Sequence, residues 1–370
     1  MRVLTLFLSA GKSLHWWQAS GLLSRELSVY REYLRLYIFD RIQIFTYDTR
    51  DHEILADLAR DEPLFQRIDL LAPPYGQANL GWALIGPCRY YRRLAQSHAF
   101  KTNQISGSWA AIWAAFLTRR PLILRMGYIL SQRFAQNGQP VRAMLARLIE
   151  RLGIKRAAYV VVTSQAAYRT MLPLVGARRL WLLPSYVDVT LFRAKPTYDF
   201  DAPVISIGRM EPQKNQQALI DACAMTGVGL VLLGKGWLEP TLKAHASAMN
   251  NQTVFAGTLD HAALPQMLHA HSIFLLPSLH EGLPKVLIEA MAVGLICIGT
   301  AIPGITDLIE DGVTGYLIDG FDAAAIAAGI ERARSARDIE IGRRARAHVV
   351  AKLGLAAYVQ HESALFECLN

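Results

Sequence analysis

A chain of 370 residues is longer than one hydrophobic core usually supports, so two domains of ordinary size are expected. Its 52% hydrophobic and 19% charged residues exclude a disordered or fibrous protein, and a mean hydropathy of +0.20 points to an unusually apolar surface. The net charge of +9 conceals a division: residues 1–195 hold 27 Lys and Arg against 12 Asp and Glu, a net of +15, while the remainder holds 12 against 18, a net of −6.

The chain opens on an apolar run at 3–8 ended by Ser9, Ala10 and Gly11. No small-residue cleavage pattern follows, so the run reads as a buried strand and not as a signal peptide. A long helix is expected from about His15 to Leu36, then a strand at 42–47. Along that helix Trp16, Trp17, Tyr30, Tyr33 and Tyr37 interleave with basic residues, which suits either an interfacial face or a helix with its aromatics in the core. The apolar stretch 107–117 falls short of the roughly 20 residues needed to cross a bilayer. Further strands are expected at 121–125, 159–163, 181–183, 204–207, 229–233, 253–255, 273–276 and 295–298. Helices are expected at 139–151, 216–225, 240–249 and 285–293. Most of the strands are solidly apolar, as strands covered on both faces should be.

Such alternation indicates an α/β protein with doubly wound, mostly parallel sheets. It restarts near Val204, after an aperiodic segment at 184–203 that contains three prolines. The expected division is an N-terminal Rossmann-like domain over 1–190, a C-terminal one over 191–345, and a C-terminal helix over 346–370 free to pack on the surface or cross back to the first domain. Two such sheets in tandem leave a cleft faced by the C-terminal ends of strands, where open α/β sheets bind ligands. Cys88, Cys223, Cys297 and Cys368 are too scattered for a CxxC unit, which fits free thiols in a reducing cytosol.

The segment 277–294, PSLHEGLPKVLIEAMAVG, directly follows the strand at 273–276 and reads as loop and then helix. Pro284 suits the first helical turn. Glu281 then lies in the loop, and the amides of Gly282, Leu283, Lys285 and Val286 form a helix N-terminus that attracts phosphate. Glu289 follows two turns on. A carboxylate accepts two vicinal hydroxyls at once, so one glutamate suits a sugar and the other a ribose. Taken alone, Lys285 and Glu289 fit an ordinary i, i+4 surface pair equally well. The segment 204–220, VISIGRMEPQKNQQALI, repeats strand, loop and helix. Arg209 follows Gly208 at the strand end, and Lys214 precedes Asn215, a suitable N-cap. A lysine at a helix N-terminus opposes the dipole, so an anion there would reconcile the two. Without the first segment, Arg209 and Lys214 read as two solvated loop cations.

Other motifs fail. AGKS at 10–13 resembles the end of a P-loop, but position 6 is Leu and not Gly; Gly234 and Gly236 lack the third glycine of a dinucleotide fingerprint, because Glu239 stands there. The histidines show no metal-ligand spacing, and no helix-turn-helix, RNP or zinc-finger pattern accompanies the basic half, which excludes nucleic acid as the partner.

Taken together, these residues resemble a GT-B-fold glycosyltransferase of the large retaining family 4, the glycosyl transferases group 1 type. Its Glu-x7-Glu motif stands here as EGLPKVLIE and its Gly-Arg to Lys-Asn element as GRMEPQKN. Its glycine turn appears as LLGKGWLE, its interdomain pattern as PSYVDVTLF (184–192) and its closing loop as IPGITDLIEDGVTGYLI (302–318). The resemblance implies two Rossmann-like domains, a nucleotide-diphosphate sugar as co-substrate (a UDP- or GDP-sugar), no metal and no other cofactor. It implies Arg209, Lys214 and Glu281 as catalytic residues, with Gly11, Gly208, His280, Gly282, Leu283, Pro284, Lys285, Val286 and Glu289 around the donor. Lys12, Ser13, Arg125 and Tyr128 become candidates on the acceptor side; Arg125, Gly127 and Tyr128 stand where many relatives place a histidine. The expected acceptor is a glycan or lipid-linked saccharide, at a cytoplasmic site or the inner face of the plasma membrane, with the basic N-terminal domain toward anionic lipid. A GT-B nucleotide-sugar epimerase, or a non-catalytic sugar-nucleotide-binding subunit of a polysaccharide assembly complex, would carry the same donor motifs.

Overall fold

The computed structural model describes residues 1–78, 81–136, 138–249 and 251–369. The chain divides into two compact units: Met1–Leu183 together with Val359–Asn370, and Pro184–Tyr358. This division falls seven residues before the expected start of the second domain at 191.

Seven strands of the first unit are described: β1 (Val3–Phe7), β2 (Arg41–Phe45), β3 (Ile68–Leu71), β4 (Ala99–Thr102), β5 (Leu122–Met126), β6 (Tyr159–Val162) and β7 (Leu180–Leu182). They lie in the order β3-β2-β1-β4-β5-β6-β7, and their pairings are parallel. β1 and β5 are buried along their whole length, because helices cover both faces of the sheet. β3 and β4 were not among the expected strands. β4 reads AFKT, and Lys101 interrupts its apolar character; the lysine is nevertheless buried, with Nζ 2.7 Å from the Glu362 carboxylate. A partner 261 positions away leaves no local signal.

The expected helix from His15 to Leu36 is two helices, Leu14–Ala19 and Leu23–Arg35. Gly21 separates them at φ 65°, a left-handed conformation that ends the first. Trp17, Tyr30 and Tyr33 are core residues, and only Trp16 and Tyr37 are exposed, so this helix pair does not present the interfacial aromatic face. The Tyr33 hydroxyl donates to Glu362, and the Tyr33 and Phe39 rings meet Phe366 edge-on. Residues 346–370 are not one helix: Ile339–Leu353 and Leu355–Glu367 are separated by Gly354, whose backbone bridges to Val187.

The second unit has β8 (Val204–Ile207), β9 (Leu230–Leu233), β10 (Thr253–Gly257), β11 (Ile273–Leu276), β12 (Ile296–Thr300) and β13 (Tyr316–Ile318), in the order β10-β9-β8-β11-β12-β13 with parallel pairings. The chain order reverses at β1/β4 in the first sheet and at β8/β11 in the second. Successive connections leave to opposite sides at such a reversal, which opens a crevice beyond the carboxyl ends of the two strands.

Candidate functional site

The two segments singled out in the C-terminal half leave the sheet at the β8/β11 reversal. After β8 come Gly208 and Arg209, a single 3-10 turn at Pro212–Lys214, and the helix Gln216–Thr226. After β11 comes the loop carrying His280 and Glu281. The loops are tied together: Leu279 N–H donates to the Gln213 carbonyl at 2.8 Å, and the Gln213 side-chain amide donates to the His280 carbonyl at 2.7 Å. Between them Lys214 Nζ lies 2.5 Å from Glu281 Oε1, with side chains 15% and 8% exposed. Lys214 is therefore not a solvated loop cation. A Cβ on Gly208 would lie 3.1 Å from Lys214 Cε, so the glycine leaves room for the lysine stem. Arg209 is 59% exposed and held 2.6 Å from Glu211.

Asn215 stands at the N-cap position of this helix, its carbonyl accepting from the Leu219 amide at 3.2 Å, but its side chain does not cap. The residue sits in the left-handed region, and its side-chain amide donates instead to the Phe321 carbonyl at 2.8 Å. Gly234 and Gly236, rejected as a dinucleotide fingerprint, serve close backbone contact. A Cβ on either would lie 2.0 Å from the Gly208 carbonyl oxygen or 2.2 Å from that of Met210.

The helix Lys285–Val293 starts at Pro284, and its first amides to bond back are those of Leu287 and Ile288, both to the Pro284 carbonyl. The amides before them have no acceptor within the helix, which leaves a positive end beside Gly282 and Leu283. Behind this loop stands Gly304, at φ 87°, where a Cβ would lie 1.8 Å from the Gly282 carbonyl oxygen. Glu289 is 2% exposed and lies 2.9 Å from His261 Nε2. It is thus a buried carboxylate on a buried histidine and not a surface partner of Lys285, whose ammonium lies over the Tyr186 ring at 5.8 Å. Sequence reasoning missed His261, which stands 28 positions before Glu289, on the loop that follows β10.

In the first unit the chain leaves β1 through Gly11, at φ 71°, into the helix Leu14–Ala19. Ser13 is buried and caps that helix: its hydroxyl accepts from Trp16 N–H at 3.0 Å. Lys12 is held over the Trp16 ring, 3.7 Å from its centroid, and burial pushes its ammonium below the usual lysine range. Asp51, also missed, fixes the turn by accepting the Leu14 and His15 amides at 2.9 and 2.8 Å. Burial raises its carboxyl, opposed by these bonds. Arg125 is a buried arginine near the end of β5. Its backbone amide donates to Thr102 and its guanidinium to the Asn103 carbonyl at 3.3 Å, just beyond β4 and the reversal. Tyr128 is half-buried and packs on the core between β5, β6 and their helices. Among the described residues no group of three His, Cys, Asp or Glu could hold a metal ion, and no helix is long and apolar enough to cross a membrane.

The family model for glycosyl transferases group 1 matches residues 190–347. The chain is 27% identical over 289 residues to an alpha-D-kanosaminyltransferase of Streptomyces kanamyceticus, covering 71% of this chain and 74% of that one. It is 34% identical over 148 residues to the lipopolysaccharide core biosynthesis glycosyltransferase LpsE of Rhizobium meliloti (strain 1021), where it covers 39% of this chain and 43% of that one. Among solved structures, Anabaena Alr3699/HepE in complex with UDP and glucose has a similar fold, with a TM-score of 0.77 at 21% identity over 99% of both chains. Residues 190–347 are thus similar to the glycosyl transferases group 1 family, on a chain with the GT-B fold of two Rossmann-like units.

Proposed function

We propose that the chain is a retaining, metal-independent glycosyltransferase that moves a sugar from a UDP- or GDP-sugar to a hydroxyl of a glycan or lipid-linked acceptor in cell-surface polysaccharide or lipopolysaccharide synthesis. The observation that carries this reading is the Lys214–Glu281 pair beside a helix N-terminus at the β8/β11 reversal. The kanosaminyltransferase and LpsE are named for sugar transfer, and HepE was solved with UDP and glucose, which supports a nucleotide-sugar donor.

In this scheme the bond from the anomeric carbon to the diphosphate breaks as the acceptor oxygen bonds to the same face. The acceptor's proton passes to a phosphate oxygen of the leaving diphosphate. Lys214, Arg209 and the amides of Gly282, Leu283, Lys285 and Val286 stabilise the charge gathering there, worth about 3–4 kcal/mol for one well-placed donor. Glu281, with His280, orients the sugar; Glu289, its carboxylate fixed by His261, accepts the ribose hydroxyls. Gly208 and Pro284 shape the loops. Lys12, Arg125 and Tyr128 face the acceptor, while Ser13 acts through its helix cap. The four free cysteines accord with a cytoplasmic location.

The test is release of UDP or GDP from a donor panel, with and without a lipid-linked saccharide acceptor. Glu281→Ala, Arg209→Ala and Lys214→Ala should each lower turnover by about 100-fold or more. Turnover within a few-fold of wild type in all three would sink the assignment. Nucleotide release without any acceptor would favour an epimerase, and nucleotide binding without turnover a non-catalytic subunit.

A further inference from the structure

The longest helix of the first unit, Pro140–Arg156, buries one face against the core through Ala143, Ala146, Ile149, Gly153 and Ile154. Its opposite face is apolar too. Val141, Met144, Leu145, Leu148 and Leu152 fall at i, i+3, i+4, i+7 and i+11, and are between 44 and 67% exposed. One helix therefore carries two apolar stripes, and the core accounts for only one of them. Alongside the outer stripe runs a row of cations at i, i+4 and i+8: Arg147, Arg151 and Lys155, each exposed. The neighbouring helix Ser108–Thr118 meets this one where Ile112 approaches Gly153, and it bares Trp109 and Phe116 in turn, with Trp113 stacked on Phe116 at 5.6 Å.

On the other side of the cation row opens a cavity of about 600 Å³. Arg147, Arg151 and Lys155 line it, together with Leu174, which is itself exposed. The acid in its wall, Glu150, is already engaged: the Ser131 hydroxyl and amide donate to it at 2.7 and 3.0 Å.

We infer that the outer face of Pro140–Arg156, continued by Ser108–Thr118, docks this chain on an anionic lipid bilayer. The outer stripe enters the boundary between headgroups and acyl chains, and Arg147, Arg151 and Lys155 bind headgroup phosphates from beside it. The charge decides the occupant. An apolar stripe flanked by arginines and lysine matches a surface that is apolar inside and negative outside, and residues 1–195 carry a net of +15. A second copy of the chain would set two such cation rows against each other. The inference stands apart from the sugar-transfer reading, because binding to lipid requires neither donor nor turnover.

The experiment is flotation of the intact chain with vesicles of phosphatidylcholine alone, and with vesicles in which part of it is replaced by phosphatidylglycerol, at low and high salt. Wild type should float with the anionic vesicles and be released by salt. Leu148→Glu combined with Leu152→Glu should weaken vesicle binding about tenfold, and Arg147→Glu combined with Arg151→Glu about 25-fold or more, at roughly fivefold for each lost cation. Both changes are on exposed positions, and the melting temperature of each variant checks that it folds. Absence of wild-type binding at low salt would overturn the inference, as would undiminished binding by the folded Leu148/Leu152 variant. So would a dimer in light scattering that this variant dissolves while no vesicle binding is seen.

Discussion

Gly304 offers a test of how the donor-side loop is supported. Its φ of 87° is left-handed, and a Cβ there would lie 1.8 Å from the Gly282 carbonyl oxygen. An ordinary carbon–oxygen contact is about 3.3 Å, so Gly304→Ala must push the Gly282 carbonyl back by about 1.5 Å. Misplacement of about 1 Å in a positioning element costs on the order of 100-fold in rate. The substitution also carries the left-handed penalty of about 1–2 kcal/mol, and this part must be separated. Gly227→Ala provides the control: Gly227 ends the helix Gln216–Thr226 at φ 65°, and nothing lies within 4 Å of its Cβ position. Both variants should show a similar loss of thermal stability from backbone strain, with a further loss at Gly304. Only Gly304→Ala should weaken the thermal shift given by UDP and lower sugar transfer, by about 100-fold. If Gly304→Ala binds UDP and turns over as Gly227→Ala does, the Gly282 loop does not depend on Gly304 and the proposed role of its amides loses its support.

Two further outcomes follow from buried charges. In Glu362→Ala, Lys101 becomes a buried cation without its carboxylate and the Tyr33 hydroxyl loses its acceptor, at a cost of about 3–5 kcal/mol. Lys101→Met combined with Glu362→Leu should recover most of that loss in urea unfolding; a double variant less stable than Glu362→Ala would refute the pairing as the reason Lys101 is tolerated in β4. Burial pushes the Lys195 ammonium, at the Ser272 hydroxyl, from 10.5 down to about 8. Below about pH 8 both folded and unfolded chains hold the proton, and the full cost of burying the charge is present. Between about 8 and 10.5 the unfolded chain holds more protons, so stability rises with pH. Relative to Lys195→Met, wild type should gain up to about 3 kcal/mol between about pH 7 and pH 10, and equal pH profiles for the two would refute it.

Sequence alone determined those features that depend on neighbours a few residues apart. The apolar strands at 204–207 and 273–276, the loops that follow them and the helix Lys285–Val293 were legible because alternation, glycine and proline placement act locally. The break at Gly21 was missed because helical composition continues on both sides of one left-handed residue. Tertiary structure decided the rest. The order of strands brought β8 beside β11, and only that pairing set Lys214 against Glu281 across 67 positions. Whether Glu289 is a surface partner of Lys285 or a buried partner of His261 depends on which face of its helix meets the core, and this helix is covered on all sides after its first turn. Lys101 in β4, Asp51 under the first turn and the outer stripe of Pro140–Arg156 share the same cause. Burial and exposure are set by what arrives from elsewhere in the chain, and no window of sequence contains it.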